Sequence, residues 1–155
     1  MIMSRAGDSQ WEGRRRAREA ALQMLYQTEV GQLPFTEAAR GHSALGEDAV
    51  ELDDDAREYA VELARGSWQD RQTIDAYIAD AAHNWRVERL TVIDRLLLRL
   101  AVHELLSQPA TPPRVVIDEA IELARSYSGD EAAKFVNGVL DGVFKRLKTE
   151  GKVVE

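Results

Sequence analysis

The 155 residues predict an all-α fold of about seven helices with no sheet. Three observations carry this. No segment alternates apolar and polar residues over a strand's length, whereas apolar residues recur at three- and four-residue spacing through most of the chain. Residues 90–106, LTVIDRLLLRLAVHELL, are apolar on more than one helical side. Finally, Gly and Pro fall between the periodic segments rather than inside most of them.

The 90–106 segment is the centre of the prediction. Ile93, Leu96, Leu97, Leu100, Ala101 and Leu105 follow helical spacing, and Leu98, Val102 and Leu106 spill onto a second side. Such a helix must be surrounded by others rather than laid on a surface. Burying roughly ten large side chains at about 1.5–3 kcal/mol each makes it the main stabilising element. Arg95 and Arg99, at i and i+4, predict a narrow cationic stripe. His103, beside Glu104, reads as a hydrogen-bonded core or boundary histidine.

The other elements follow in order. Residues 1–10 have no periodicity and read as a flexible tail, followed by one helical domain over 11–149 and a short tail at 150–155. Residues 11–30 form a helix with Ala17, Ala21, Met24, Leu25 and Thr28 on one face, ended by Gly31 and Pro34. Residues 35–46 allow a short helix closed by Gly46. The acidic run Glu47, Asp48, Glu51, Asp53, Asp54, Asp55 precedes a helix over 56–69, where carboxylates suit a helix start. It lacks the Gly and terminal Glu of a calcium loop, so no metal is expected there. Ala60, Leu63, Ala64 and Ser67 make a small-residue stripe, and Ile74, Tyr77, Ile78 and Ala81 continue the period to about residue 84.

After the central helix, Thr111 is placed to cap a helix over about 115–127 that has proline in its first turn. Ser128-Gly129-Asp130-Glu131 reads as a capping box for the last helix, which runs to about residue 147. Gly138 and Gly142, four apart, predict one face closely approached by another helix.

Composition bounds the function. Charged content of 30% and hydrophobic content of 45% describe an ordinary globular chain. The absence of Cys excludes disulfides, thiolate metal sites and a Cys nucleophile. No apolar run reaches membrane-spanning length and no signal-like segment opens the chain, so the cytoplasm is the expected compartment. The histidines His42, His83 and His103 lack metal-ligand spacing, and no phosphate-loop or nucleophile-elbow motif occurs, so neither a cofactor nor a catalytic role is expected.

Charge points the other way. The net charge is −7, yet the first 18 residues hold five arginines against two carboxylates, a local +3. Arg14, Arg15, Arg16 and Arg18 lie within five residues, at the expected start of the first helix, where cations oppose the macrodipole at about 0.3–1 kcal/mol each. A solvated turn tolerated by a stable helix is one explanation. A phosphate-contacting patch is the other, and it makes the chain a nucleic-acid candidate despite its acidity.

Three stretches together resemble the NusB family of bacterial transcription factors. The first is residues 14–26, RRRAREAALQMLY; the second is Trp85, Arg89-Leu90, Ile93-Asp94-Arg95 and the run from Leu98 to Leu105. The third is residues 116–124, VIDEAIELA, followed by residues 134–141, KFVNGVLD. Asp118, His103 and Ala132 depart from the Asn, Tyr and Ser common in the family.

The resemblance implies two packed three-helix bundles. It also implies a non-enzymatic factor that binds the boxA element of nascent, chiefly ribosomal, RNA together with NusE, a small-subunit ribosomal protein. The pair would act within an RNA polymerase antitermination complex. Carried over by motif, Arg14, Arg15, Arg16 and Arg18 would contact RNA, and Lys134 and Phe135 would add a cation and a stacking face. Phe135 as a core residue stays open. Asp94, Asp130 and Glu131 match the side of the family that faces NusE. A homodimer is a further implied possibility. Similar helical domains also precede some ribosomal-RNA cytosine methyltransferases, and a helical protein-interaction scaffold is a third reading.

Overall fold

The computed structural model describes residues 4–42, 52–83 and 90–153, and these contain seven α-helices and no strand. They are α1 (Ser4–Glu29), α2 (Phe35–His42), α3 (Asp54–Gln69), α4 (Arg71–Ala82), α5 (Val92–Ser107), α6 (Pro113–Ser128) and α7 (Asp130–Thr149). The chain divides into two compact units, residues 1–65 and 66–155. Gly46, Trp85 and Arg89, with the acidic residues 47, 48 and 51, lie outside the described residues.

In the first unit α1 packs on α2, and its buried stripe is Ala17, Ala20, Ala21, Met24 and Leu25. The small side chains allow close approach: an added methyl on Gly13 would lie 3.9 Å from Ala56 Cβ of α3. Helix α1 starts at Ser4, so it takes in most of the expected tail. Its end is built as expected around Gly31, where any Cβ would come within 2.6 Å of the Gln27 carbonyl oxygen. The left-handed residue is the next one, Gln32, at φ 57°. Asp53 Oδ1 accepts from the Ala56 amide at 2.8 Å and caps α3. Arg57 then donates to the Ala39 carbonyl at 3.0 Å and ties α3 to the end of α2.

In the second unit α5 is enclosed by α4, α6 and α7, and all ten residues from Leu96 to Leu105 are buried. Thr91 caps it, accepting from the Asp94 amide at 3.2 Å. The expected cationic stripe does not exist as such. Arg99 is buried and bidentate to Asp75 of α4, Nε to Oδ1 and Nη2 to Oδ2, both at 2.7 Å. A side chain read as part of a cationic stripe is therefore an internal strut, because α4 supplies a carboxylate that no local pattern in α5 reveals. His103 is a core histidine: a Cβ on Gly66 would fall 2.1 Å from its Cε1, so the ring lies against bare backbone.

Two local expectations change, at Thr111 and at Ser128, and one boundary holds. The helix expected over 56–69 does end at Gln69, and α4 follows directly from Arg71. Thr111 forms a turn to Gln108, and the N-cap of α6 is Pro112, with Pro113 opening the helix. Ser128 ends α6 rather than capping α7. Gly129, at φ 95°, joins the two helices without any side-chain cap, so there is no capping box. The junction needs the left-handed backbone that glycine adopts freely, and this wins over the side-chain signal.

The glycines of α7 also part company. Gly142 meets Ala81 of α4 with 3.1 Å to an added Cβ, the expected close packing, whereas Gly138 faces open space. After α7 the chain turns back at Gly151 (φ 74°) and buries Val153. The Tyr77 hydroxyl donates to Glu150 Oε1 and accepts from Lys152 Nζ, both at 2.7 Å. The Tyr77 hydroxyl, followed by Arg146, holds the Glu150 carboxyl below the usual carboxylate range, and Tyr77 and then Glu150 hold the Lys152 ammonium above its own.

Candidate nucleic-acid interface

The arginine cluster occupies the middle of α1, ten or more residues from its start at Ser4. The macrodipole penalty acts only in the first turn, so it does not apply to these arginines. What separates them is the helical period. Arg14 and Arg18, at i and i+4, lie on the face turned toward the core; Arg15 and Arg16 lie outside it.

Arg14 is half-buried, its guanidinium 3.7 Å from the centroid of the Tyr59 ring of α3. Stacking fixes the cation in one place while its outer edge stays available. Arg18 is 5% exposed and is removed from the surface cluster. The four arginines expected to contact RNA thus differ in exposure, with Arg18 enclosed. Arg15 is exposed, and so is Arg16, which pairs with Glu12 at 3.1 Å. That pair is solvent-screened and weak, so Arg16 can exchange it for a phosphate at little cost.

In the second unit Lys134 is exposed in the first turns of α7, and the neighbouring Phe135 is half-buried. Phe135 is thus neither a fully enclosed core residue nor a free platform; part of its surface is open to a stacking partner. Asp130 and Glu131 are exposed at the start of the same helix, where carboxylates complement the dipole. Asp130 also pairs with Arg125 at 3.2 Å across the Gly129 junction. Asp94 differs from both. It is 9% exposed in the first turn of α5, which leaves little carboxylate for a partner to meet.

Two functional-looking residues carry no signal in the sequence pattern. Tyr59 sits on the apolar face of α3 and is recognisable as a platform only through Arg14. Tyr127 is 40% exposed at the end of α6, an aromatic on the surface where the period alone places an ordinary helix terminus. No group of three His, Asp or Glu among the described residues is arranged to hold a metal, and no described helix is long and apolar enough to cross a membrane.

Known proteins resemble this chain in sequence and in fold. A model of the NusB family matches residues 15–145. The transcription antitermination protein NusB of Symbiobacterium thermophilum is 40% identical over 139 residues, covering 87% of this chain and 91% of that protein. NusB of Myxococcus xanthus is 42% identical over 130 residues, 84% of this chain and 93% of its own length. Among solved structures, T. maritima NusB superposes with a TM-score of 0.75 at 37% identity, covering 88% of this chain and 96% of that one. A chain from the complex of antitermination factors NusB and NusE with double-stranded RNA gives 0.73 at 28% identity over 87% and 98%. The described helices, the motif order and these matches agree: the chain belongs to the NusB family.

Proposed function

We propose that this chain is a non-enzymatic, RNA-binding transcription antitermination factor of the cytoplasm. It binds boxA-type single-stranded RNA together with NusE and supports processive transcription by RNA polymerase. The observation that carries the reading is the pair Arg15 and Arg16, exposed on α1 of an otherwise acidic chain. Arg14, locked on Tyr59, adds a pre-positioned cation. Lys134 and Phe135 offer a phosphate contact and a stacking face on the second unit. Arg18 acts from beneath, holding the arginine-bearing turn rather than touching RNA. The NusB relatives support the reading, as does the complex that joins NusB and NusE to RNA. In this reading NusE faces the acidic start of α7, where Asp130 and Glu131 are exposed, and Asp94, nearly enclosed, is the weakest of the three candidates.

Salt titration tests the proposal. For single strands, log K falls against log salt by about 0.7 per phosphate neutralised. Changing Arg15 and Arg16 to Ala is expected to flatten the slope by up to about 1.4 units and to weaken binding of a boxA-like strand. A double variant that melts normally and binds with unchanged affinity and slope refutes the assignment.

A further inference from the structure

A groove between the start of α6 and the second half of α7 encloses a cavity of about 510 Å³, wholly within the second unit. None of the RNA contacts proposed above lines it. Its walls bring together Arg114, Lys145 and Lys148, the apolar surfaces of Ile117 and Phe144, and the side-chain amide of Asn137. Small-ligand sites fall in the range of roughly 300–1,000 Å³, so the volume suits one nucleotide.

The side chains suit one as well. Lys148 Nζ lies 5.8 Å from the centroid of the Phe144 ring, placing a cation beside an aromatic face. A single-stranded nucleotide requires that pairing: a surface for the base and a positive charge for the phosphate next to it. Asn137, exposed on α7, presents both a donor and an acceptor for a base edge. Of the two carboxylates on the walls, Asp141 is already paired with Lys145 at 3.0 Å. Asp118 is left to accept from an exocyclic amine or a ribose hydroxyl.

The cations do not share one structural explanation. Lys145 and Lys148 sit near the C-terminal end of α7, where the helix dipole favours positive charge. Arg114 is the second residue of α6, where the dipole disfavours it. A phosphate seated between Arg114 and Lys148 would turn that unfavourable placement into a favourable one. An acidic peptide would meet the same cations but also Asp118, and it would make no particular use of the ring beside the lysine.

We infer that the α6–α7 groove is a nucleotide subsite that takes one base and its phosphate from the single-stranded RNA. This rests on the RNA-binding reading and extends it beyond the arginine-rich helix and the Lys134–Phe135 pair. The test uses the full chain and a labelled single strand carrying a boxA-like core with flanks on both sides, titrated over a range of salt. The Arg114→Ala/Lys148→Ala variant is expected to bind more weakly and to lose up to about 1.4 units of salt slope. Phe144→Leu keeps an apolar group on the wall and removes the π-face, so it is expected to weaken binding roughly tenfold with the slope unchanged. A 4-thiouridine strand is expected to photocross-link to the peptide containing Phe144.

If the Arg114/Lys148 variant melts as the parent does and binds with unaltered affinity and slope, the groove is not a subsite. When the Arg15/Arg16 variant loses binding in that same experiment, only this inference fails. When neither pair matters, the RNA reading falls and takes the groove with it. Should Phe144→Leu fold poorly, the surface cations Arg114 and Lys148 still decide the question.

Discussion

Helices α1 and α5 use arginine in opposite ways. On α1, Arg15 and Arg16 are exposed, Arg16 in a solvent-screened pair with Glu12. On α5, Arg99 is enclosed and held bidentate by Asp75, so its charge is spent inside the protein. The two helices differ in how many sides they bury. Helix α5 has ten consecutive buried residues, Arg99 among them, whereas Arg15 and Arg16 lie outside the buried face of α1. The face an arginine occupies matters as much as its helix, since Arg18 is buried on the same α1 that exposes Arg15 and Arg16.

The contrast can be broken most forcefully inside α5. Leu98 is fully buried, and Leu98→Ala is expected to cost about 4 kcal/mol, within the 2–5 kcal/mol range for such truncations. Urea unfolding would measure it as a shifted midpoint at constant slope. Asp75→Ala leaves Arg99 enclosed without its carboxylate. About 3 kcal/mol is expected, at the low end for a broken buried pair because Asp75 keeps 27% of its side-chain surface exposed. Replacing both Arg99 and Asp75 by apolar residues of similar size should recover most of that loss, and a pair that fails to recover it would show Arg99 serving more than one partner.

A smaller test compares the two glycines of α7. Gly138→Ala places a methyl in open space and should stabilise the helix by about 0.5–1 kcal/mol. Gly142→Ala has the same propensity gain but pushes against Ala81 at 3.1 Å, so its melting temperature should fall below that of Gly138→Ala. Equal melting temperatures would mean that α4 and α7 separate easily at that point.

The smallest expected effect is at the C-terminal clasp. Glu150 has a lowered pKa, so its stabilising share is present above the ordinary carboxylate range and is lost as pH falls through the lowered value. Lys152 is raised, so its share is full below the ordinary lysine value and is lost as pH rises through the raised one. The clasp is therefore held across neutral pH. Tyr77→Phe removes the shared hydroxyl, and carbon-detected titration should find the Glu150 carboxyl moving back toward its ordinary range. An unmoved Glu150 would place the lowering on Arg146 instead.

Periodicity made the helical class and the centrality of α5 legible, because burial on several sides writes itself into spacing that no neighbour can disguise. The arginine cluster and the KFVNG run were legible as motifs for the same local reason. Boundaries were less so: α1 begins at Ser4 although its first residues show no apolar stripe. What only the tertiary structure decided is how side chains of one type divide. Arg14 stacks on Tyr59, Arg18 is buried, Arg99 meets Asp75, and Gly142 but not Gly138 receives a neighbouring helix. The outcomes at Arg14, Arg99 and Gly142 depend on partners distant in sequence, and a helical repeat specifies which face a residue occupies without specifying what arrives there.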